Sequence, residues 1–173
     1  MQCVAESKAA GAPFDLETIF GSHYERIARV IARVVGDRAH AEELAVEVFL
    51  KLWRTRSAQG ERVEGWLYRT AVRTGLDELR RRTRRTRHER LAGFIRGSAT
   101  PEEILAAAQE QERVRLVLSV IGQRQAEFLI LRSHGLSYGE VATALDLNPA
   151  SVGTLLSRAQ QAFRKEYLKR YGE

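Results

Sequence analysis

The sequence predicts an all-α protein of two small helical domains joined by a flexible linker, with a helix-turn-helix in the C-terminal domain. Three observations carry that expectation. No run of β-branched residues alternates with polar ones between turn signals, so strands are nearly absent. Apolar residues instead recur every three or four positions along most of the chain. Between two such regions lies LAGFIRGSATPEE, a stretch with two glycines, a serine and Thr100-Pro101. The 173 residues leave room for one domain or two small ones, and a hydrophobic fraction of 44% argues against wholesale disorder.

The first helix is expected from Phe14 to Val35, where Leu16, Ile19, Phe20, Tyr24, Ile27, Ile31 and Val34 share a face. Gly36 stops it, and Asp37 offers an N-cap to RAHAEELAVEVFLKLWRTR. In that second helix Ala41, Leu44, Ala45, Val48 and Leu52 form an apolar face that Val46, Phe49 and Trp53 extend. Glu43, Glu47 and Arg54 leave a narrow polar stripe, so the helix is packed on most sides, within the fold or against a partner. Residues 55–65, TRSAQGERVEG, read as a polar loop. A third helix begins near Trp66, with Leu67, Ala71, Val72, Gly75 and Leu79 on one face. Opposite lie Trp66, Arg69, Arg73, Asp77, Arg80 and Arg84. It runs into RRRTRRTRHER, which has no apolar stripe and is expected to fray.

After the linker, Pro101 with acidic residues behind it starts a further helix. Periodicity runs from Ile104 to Val120, and IGQRQAEFLILRSHG forms another helix that ends at His134-Gly135. The segment LSYGEVATALDLNPASVGTLLSRAQ, residues 136–160, has the grammar of a helix-turn-helix. Ser137 and Glu140 make a capping box, in which hydroxyl and carboxylate each satisfy an orphan backbone N–H. Asn148 caps the second helix and Pro149 occupies its first position, where a missing N–H costs nothing. Val152, Leu156, Ala159 and Phe163 point toward the first helix, and small Ala142 permits a close crossing. Ser151, Thr154, Ser157, Arg158 and Gln161 face away. The resulting boundaries are 14–88 for the first domain, 89–103 for the linker and 104–171 for the second.

Charge separates the functional classes. The chain carries a formal +6, suited to an anionic partner. Between Trp66 and Ser98 ten arginines face only Asp77, Glu78 and Glu89, so that block holds more than the whole chain's net charge. A solvated face usually mixes both signs, and this one does not. Lone Cys3 excludes an internal disulfide framework and fits a reducing compartment. The four histidines stand at no metal-ligand spacing, so neither metal nor cofactor is expected. The N-terminal MQCVAESKAAGAPF has no apolar core of signal-peptide length, no stretch reaches membrane-spanning length, and the cytoplasm is the expected compartment.

In order and spacing these blocks resemble the bacterial RNA polymerase sigma factors of the extracytoplasmic-function (ECF) group, from Phe14 onward. HYERIARVIARVVGDRAHAEELAVEVFLKLW is similar to the family's regions 2.1 to 2.2, and GWLYRTAVRTGLDELRRR to regions 2.3 to 2.4. GQRQAEFLILRSHGLSYGEVATALDLNPASVGTLLSRAQ resembles region 4. The resemblance implies that Glu42, Glu43, Glu47, Phe49 and Trp53 dock on core RNA polymerase. It implies that the loop before Trp66 and the helix through Arg80 melt and read the promoter −10 region, with Trp66, Arg69, Arg73, Arg80, Arg81 and Arg84 at the DNA. For the −35 element it implies Asn148, Ser151, Thr154, Ser157, Arg158 and Gln161. It further implies promoter DNA and an anti-sigma factor as partners, a monomer when free, and no catalytic residue. The chain departs from the family's common pattern at Glu43, Val46, Arg73, Gly153, Leu155 and Gln160.

The residues' own chemistry runs the same way. Holding unstacked bases calls for a cationic groove with aromatic surfaces, and Trp66 and Tyr68 stand beside the arginines. Trp66 remains open to two uses, base stacking or core packing. The run from Arg80 to Arg90 suits phosphates better than base edges. A stand-alone helix-turn-helix regulator is the alternative; it predicts a symmetric dimer and autonomous operator binding. Against it stands the arginine block, which lies in the other domain. A nucleic-acid-modifying enzyme finds no paired carboxylates, Cys/His cluster or phosphate-cradling glycine loop.

Overall fold

The computed structural model describes residues 14–91 and 102–172. Seven α-helices carry the fold: α1 (Leu16–Val35), α2 (Arg38–Arg54), α3 (Val63–Leu91), α4 (Glu102–Val120), α5 (Gln123–Ser133), α6 (Tyr138–Leu145) and α7 (Pro149–Tyr171). The expected all-α class holds, with no strand among the described residues. Cys3 and the N-terminal stretch, and most of the linker, fall outside those residues.

Local chemistry sets the helix ends. Asp15 Oδ1 accepts from the backbone N–H groups of Glu17 and Thr18 at 3.0 and 3.3 Å, which starts α1 two residues into the expected span. Gly36 ends α1 at φ +75°, a left-handed conformation that glycine adopts without steric penalty. Asp37 then caps α2 by accepting from His40 N at 3.1 Å. The 55–65 segment is more ordered than a polar loop. Arg56–Ala58 form a 3-10 turn with Ala58 buried, and the Gln59 amide donates to the carbonyls of Leu52 and Trp53 at the end of α2. Val63 packs against the core, so α3 begins three residues before Trp66.

At its other end α3 continues through the arginine run to Leu91, where fraying was expected, and takes in the first residues of the assigned linker. Arginine is a good helix former, and Arg81 pairs with Glu78 one turn back at 2.9 and 3.2 Å. Thr83 Oγ1 donates to Leu79 O at 2.9 Å. Helix α4 is already formed at Glu102, inside the other end of that assignment.

The helices α1, α2 and α3 make one bundle, α5, α6 and α7 another, with α4 lying on α7 and on α3. Ile27, Ile31, Val48, Leu52, Leu67, Ala71 and Leu76 fill the first core to 1% exposure or less. Phe128, Leu131, Val141, Leu145 and Val152 do the same in the second. The two cores are continuous. Helix α3 packs not only on α1 and α2 but also on α4, α5 and α6, so the C-terminal half sits against one flank of the arginine helix.

Candidate nucleic-acid interface

The helix-turn-helix is built as its sequence dictates. Ser137 Oγ accepts from Glu140 N at 3.2 Å while Glu140 Oε2 accepts from Ser137 N at 2.6 Å. Hydrogen bonding to it from the Ser137 side chain, and then from the Ser137 backbone N–H, holds the Glu140 carboxyl below its ordinary range. Asp146 takes the left-handed position at φ 55°, and Leu147 N donates back to Ala142 O at 2.9 Å, closing α6. Asn148 Oδ1 accepts from Ala150 N at 2.9 Å and opens α7. Val152, Leu156 and Ala159 are buried, as the periodicity requires, on a helix that packs on both α5 and α6. Thr154, Ser157, Arg158 and Gln161 are exposed along the far side. Two of the six −35 candidates are partly committed to the fold: Asn148 as the cap, and half-buried Ser151, whose hydroxyl donates to Asn148 O at 2.7 Å.

On α3 the arginines separate into two groups. Arg81 and Arg84 are exposed, although Arg81 is held by Glu78. Burial raises the Glu78 pKa, but the hydrogen bond and charge of Arg81, with His40 beside them, outweigh it and lower the pKa overall. Arg69 is half-buried. Arg73, itself exposed, and half-buried Arg80 instead face the C-terminal half. Arg73 Nε donates to Glu127 Oε1 at 2.8 Å, and Glu127 is 1% exposed. Arg80 donates to the carbonyls of Ser119 at 3.2 Å and Ile121 at 3.4 Å, and to Gln123 Oε1 at 3.4 Å. Trp66 is partly buried against the core. Tyr68 is only 6% exposed, with the Arg26 guanidinium 5.8 Å from its ring centroid, so it offers no face for a base.

The second helix presents a different surface. Val46, Leu50 and Trp53 are 42, 44 and 59% exposed, an apolar strip left uncovered by the fold. Glu43 and Glu47 flank it, both exposed, and half-buried Glu42 pairs with Arg38 at 3.0 Å. Phe49 is buried beneath the strip, with Phe20 edge-on at 4.9 Å, and braces the surface rather than forming it. His40 ties this helix to α3 through Glu78 at 3.4 Å.

Leu50 and Glu127 were not singled out from the sequence. The signal for Glu127 was present: an acidic residue inside the apolar run AEFLIL. Among the described residues no group of three His, Cys, Asp or Glu is placed to hold a metal ion. No described helix is long and apolar enough to cross a membrane.

Residues 19–85, spanning α1 to α3, match the family model for Sigma-70 region 2. The ECF RNA polymerase sigma factor SigE of Mycolicibacterium smegmatis is 28% identical over 86% of this chain and 60% of its own length. ECF sigma factor SigK of Mycobacterium ulcerans is 29% identical over 80% of this chain and 76% of its own. Over most of its length the chain is thus similar to ECF sigma factors, spanning rather less than two thirds of SigE and about three quarters of SigK. In fold it is similar to RpoE of Bartonella quintana, solved in complex with the anti-sigma factor NepR, at a TM-score of 0.51 and 16% identity over 88% of this chain and 96% of that one.

Proposed function

We propose that this chain is a sigma factor that binds core RNA polymerase and directs it to promoters, without catalytic chemistry of its own, in the cytoplasm. Residues 14–88 serve as the polymerase- and −10-binding domain, 89–103 as the linker, and 104–171 as the −35-binding domain. The observation that carries this reading is the region 2 match over α1–α3, the helices that bear the apolar-acidic strip and the arginine face. Glu42, Glu43, Glu47 and Trp53 dock on the polymerase, with Phe49 as their support. Trp66, Arg69, Arg73, Arg80, Arg81 and Arg84 hold the opened −10 strand through phosphate contacts and a stacking edge. Asn148, Ser151, Thr154, Ser157, Arg158 and Gln161 face the −35 element in the major groove.

One exposed arginine in that last set gives little counterion release, so the −35 contact is weak alone. Tethering it to the polymerase and to the arginine helix raises its effective concentration without any new interaction. An anti-sigma factor is the natural antagonist, as NepR is found with RpoE. Core polymerase reconstituted with this chain should start transcripts at specific promoters that core alone ignores. Tight operator binding by a free dimer, with no effect on core, would favour the stand-alone regulator instead.

A further inference from the structure

We propose that the cleft between α3, α4 and the C-terminal end of α7 is a binding site for a small polyphosphorylated ligand, of the class of a nucleoside polyphosphate. None of the arginines that line it is among those that hold promoter DNA in the proposed function.

The cleft has a volume of about 1030 Å³, far more than a lone phosphate needs. Five guanidinium groups from three helices line it: Arg82 and Arg87 of α3, Arg113 and Arg115 of α4, and Arg170 of α7. Among the described residues the one carboxylate in its wall is Glu112, which Arg115 holds at 3.3 Å. Arg113 and Arg170 pair with Glu110 at 3.6 Å and Glu166 at 2.6 Å, neither of which lines the cleft. A guanidinium carries five N–H donors and keeps its charge, so one carboxylate contact leaves most of its donors for a second anion.

Two of these side chains are set in place by the fold itself. Arg82 Nη1 donates to Val35 O at 3.0 Å, where α1 ends and its carbonyls lack helical partners. Arg115 reaches the same helix end from α4. Its guanidinium lies so close to Gly36 that a Cβ there would stand 2.5 Å from Cζ, so the missing side chain serves the arginine as well as the turn. The Arg115 Nη groups donate to Glu112 and Gln111, both at 3.3 Å, while its buried Nε has no partner. That is an unmet donor in a cationic wall.

The rest of the wall is apolar. Val35 and Leu79 are buried, Leu116 is half-buried, and Val120 is 45% exposed, an apolar side chain that the fold leaves uncovered. Phosphates alone make no use of such a surface; a ring system joined to them does. Tyr171 adds aromatic surface at the α7 end, with the Arg113 guanidinium 5.1 Å from its ring centroid. Duplex DNA is gripped along an exposed face, whereas this set is concave and drawn from three helices.

Isothermal titration of the full-length chain with ATP, inorganic tripolyphosphate, inorganic phosphate and adenosine tests the site. ATP should bind saturably at one site per chain and raise the midpoint of thermal unfolding as its concentration rises. Tripolyphosphate should bind more weakly, and phosphate and adenosine not measurably. Arg113→Gln and Arg115→Gln should each weaken ATP binding about tenfold, as expected for one lost charge-assisted hydrogen bond. Arg164→Gln removes the same charge from an exposed position on α7 outside the cleft and should leave the affinity unchanged. Should Arg115→Gln fail to fold, Arg113→Gln decides alone, since Arg113 is exposed. No saturable ATP binding by the folded wild type refutes the site. Equal weakening by Arg164→Gln refutes it too, because a basic chain would then be attracting polyanions without a pocket. Tripolyphosphate binding as tight as that of ATP would overturn the nucleoside. Displacement of ATP by promoter duplex, with duplex affinity lost in the same cleft variants, would make the cleft a DNA surface instead.

Discussion

His134 shows how one residue registers the contact between the halves. It caps the C-terminus of α5, where a protonated imidazole would ordinarily be welcome. Burial lowers its pKa from 6.5 to about 4, with the charges of Arg33 and Arg29 pushing the same way. Arg33 lies close because it donates to Ser133 O at 2.9 Å across the contact. Since the folded pKa is the lower one, the unfolded chain binds the proton more readily. The stability held by neutral His134 is therefore complete above about pH 6.5 and declines as pH falls toward 4. Denaturant melts at several pH values should show that decline, and His134→Gln should flatten it. Equal slopes for both proteins would place the titrating group elsewhere. Nothing in the sequence around His134 announced this, because its neighbours Arg29 and Arg33 are about a hundred residues away.

At the scale of the helix, α2 and α3 divide the labour by what they leave uncovered. Periodicity alone assigned the inner face of α2 correctly, and it left two fates for the wider apolar surface, burial or a partner. Phe49 took the first; Val46 and Trp53 are left uncovered by the fold. Reversing charge at Glu43 or Glu47 should weaken core polymerase binding with helical content unchanged, since both side chains are exposed and removing them opens no cavity. Normal binding by both variants would move the docking surface off α2. On α3 the sequence placed the arginines on one face, but it could not show that two of them turn toward α5. Local spacing fixes a face, whereas a partner 54 residues on, as for Arg73 and Glu127, is a tertiary fact.

That division changes what mutagenesis of the DNA surfaces should show. Replacing Arg80, Arg81 and Arg84 with Ala should flatten the salt dependence of open-complex formation by about 0.7 per lost contact to single-stranded DNA, alike on all promoters. Replacing Ser151, Thr154 or Arg158 should change preference among −35 sequences, by about 1–3 kcal/mol at most for a good base contact. A salt titration of both sets on two −35 variants separates the effects. If the arginine variant altered sequence preference and left the slope intact, α3 would be a base reader rather than a phosphate grip.

In the whole molecule, two buried centres meet along one shared helix. The linker composition and the two sets of periodic helices made two domains legible in the sequence, and each half does have its own buried centre. What composition could not reveal is that α3 is shared, packing on α1 and α2 with one side and on α4, α5 and α6 with another. The polar ties between the halves are arginine-based: Arg73 and Arg80 of α3 to Glu127 and the α4–α5 turn, and Arg33 of α1 to Ser133. Arg62 and Asp146, 3.5 Å apart and both largely exposed, add little in salt. Co-expressed as separate chains, 14–91 and 102–172 should therefore co-purify through the continuous core, and rising salt, which screens only the exposed ties, should weaken that association without abolishing it. Analytical ultracentrifugation across a salt series measures this directly. Complete separation at high salt would mean that the arginines, not apolar burial, hold the halves together.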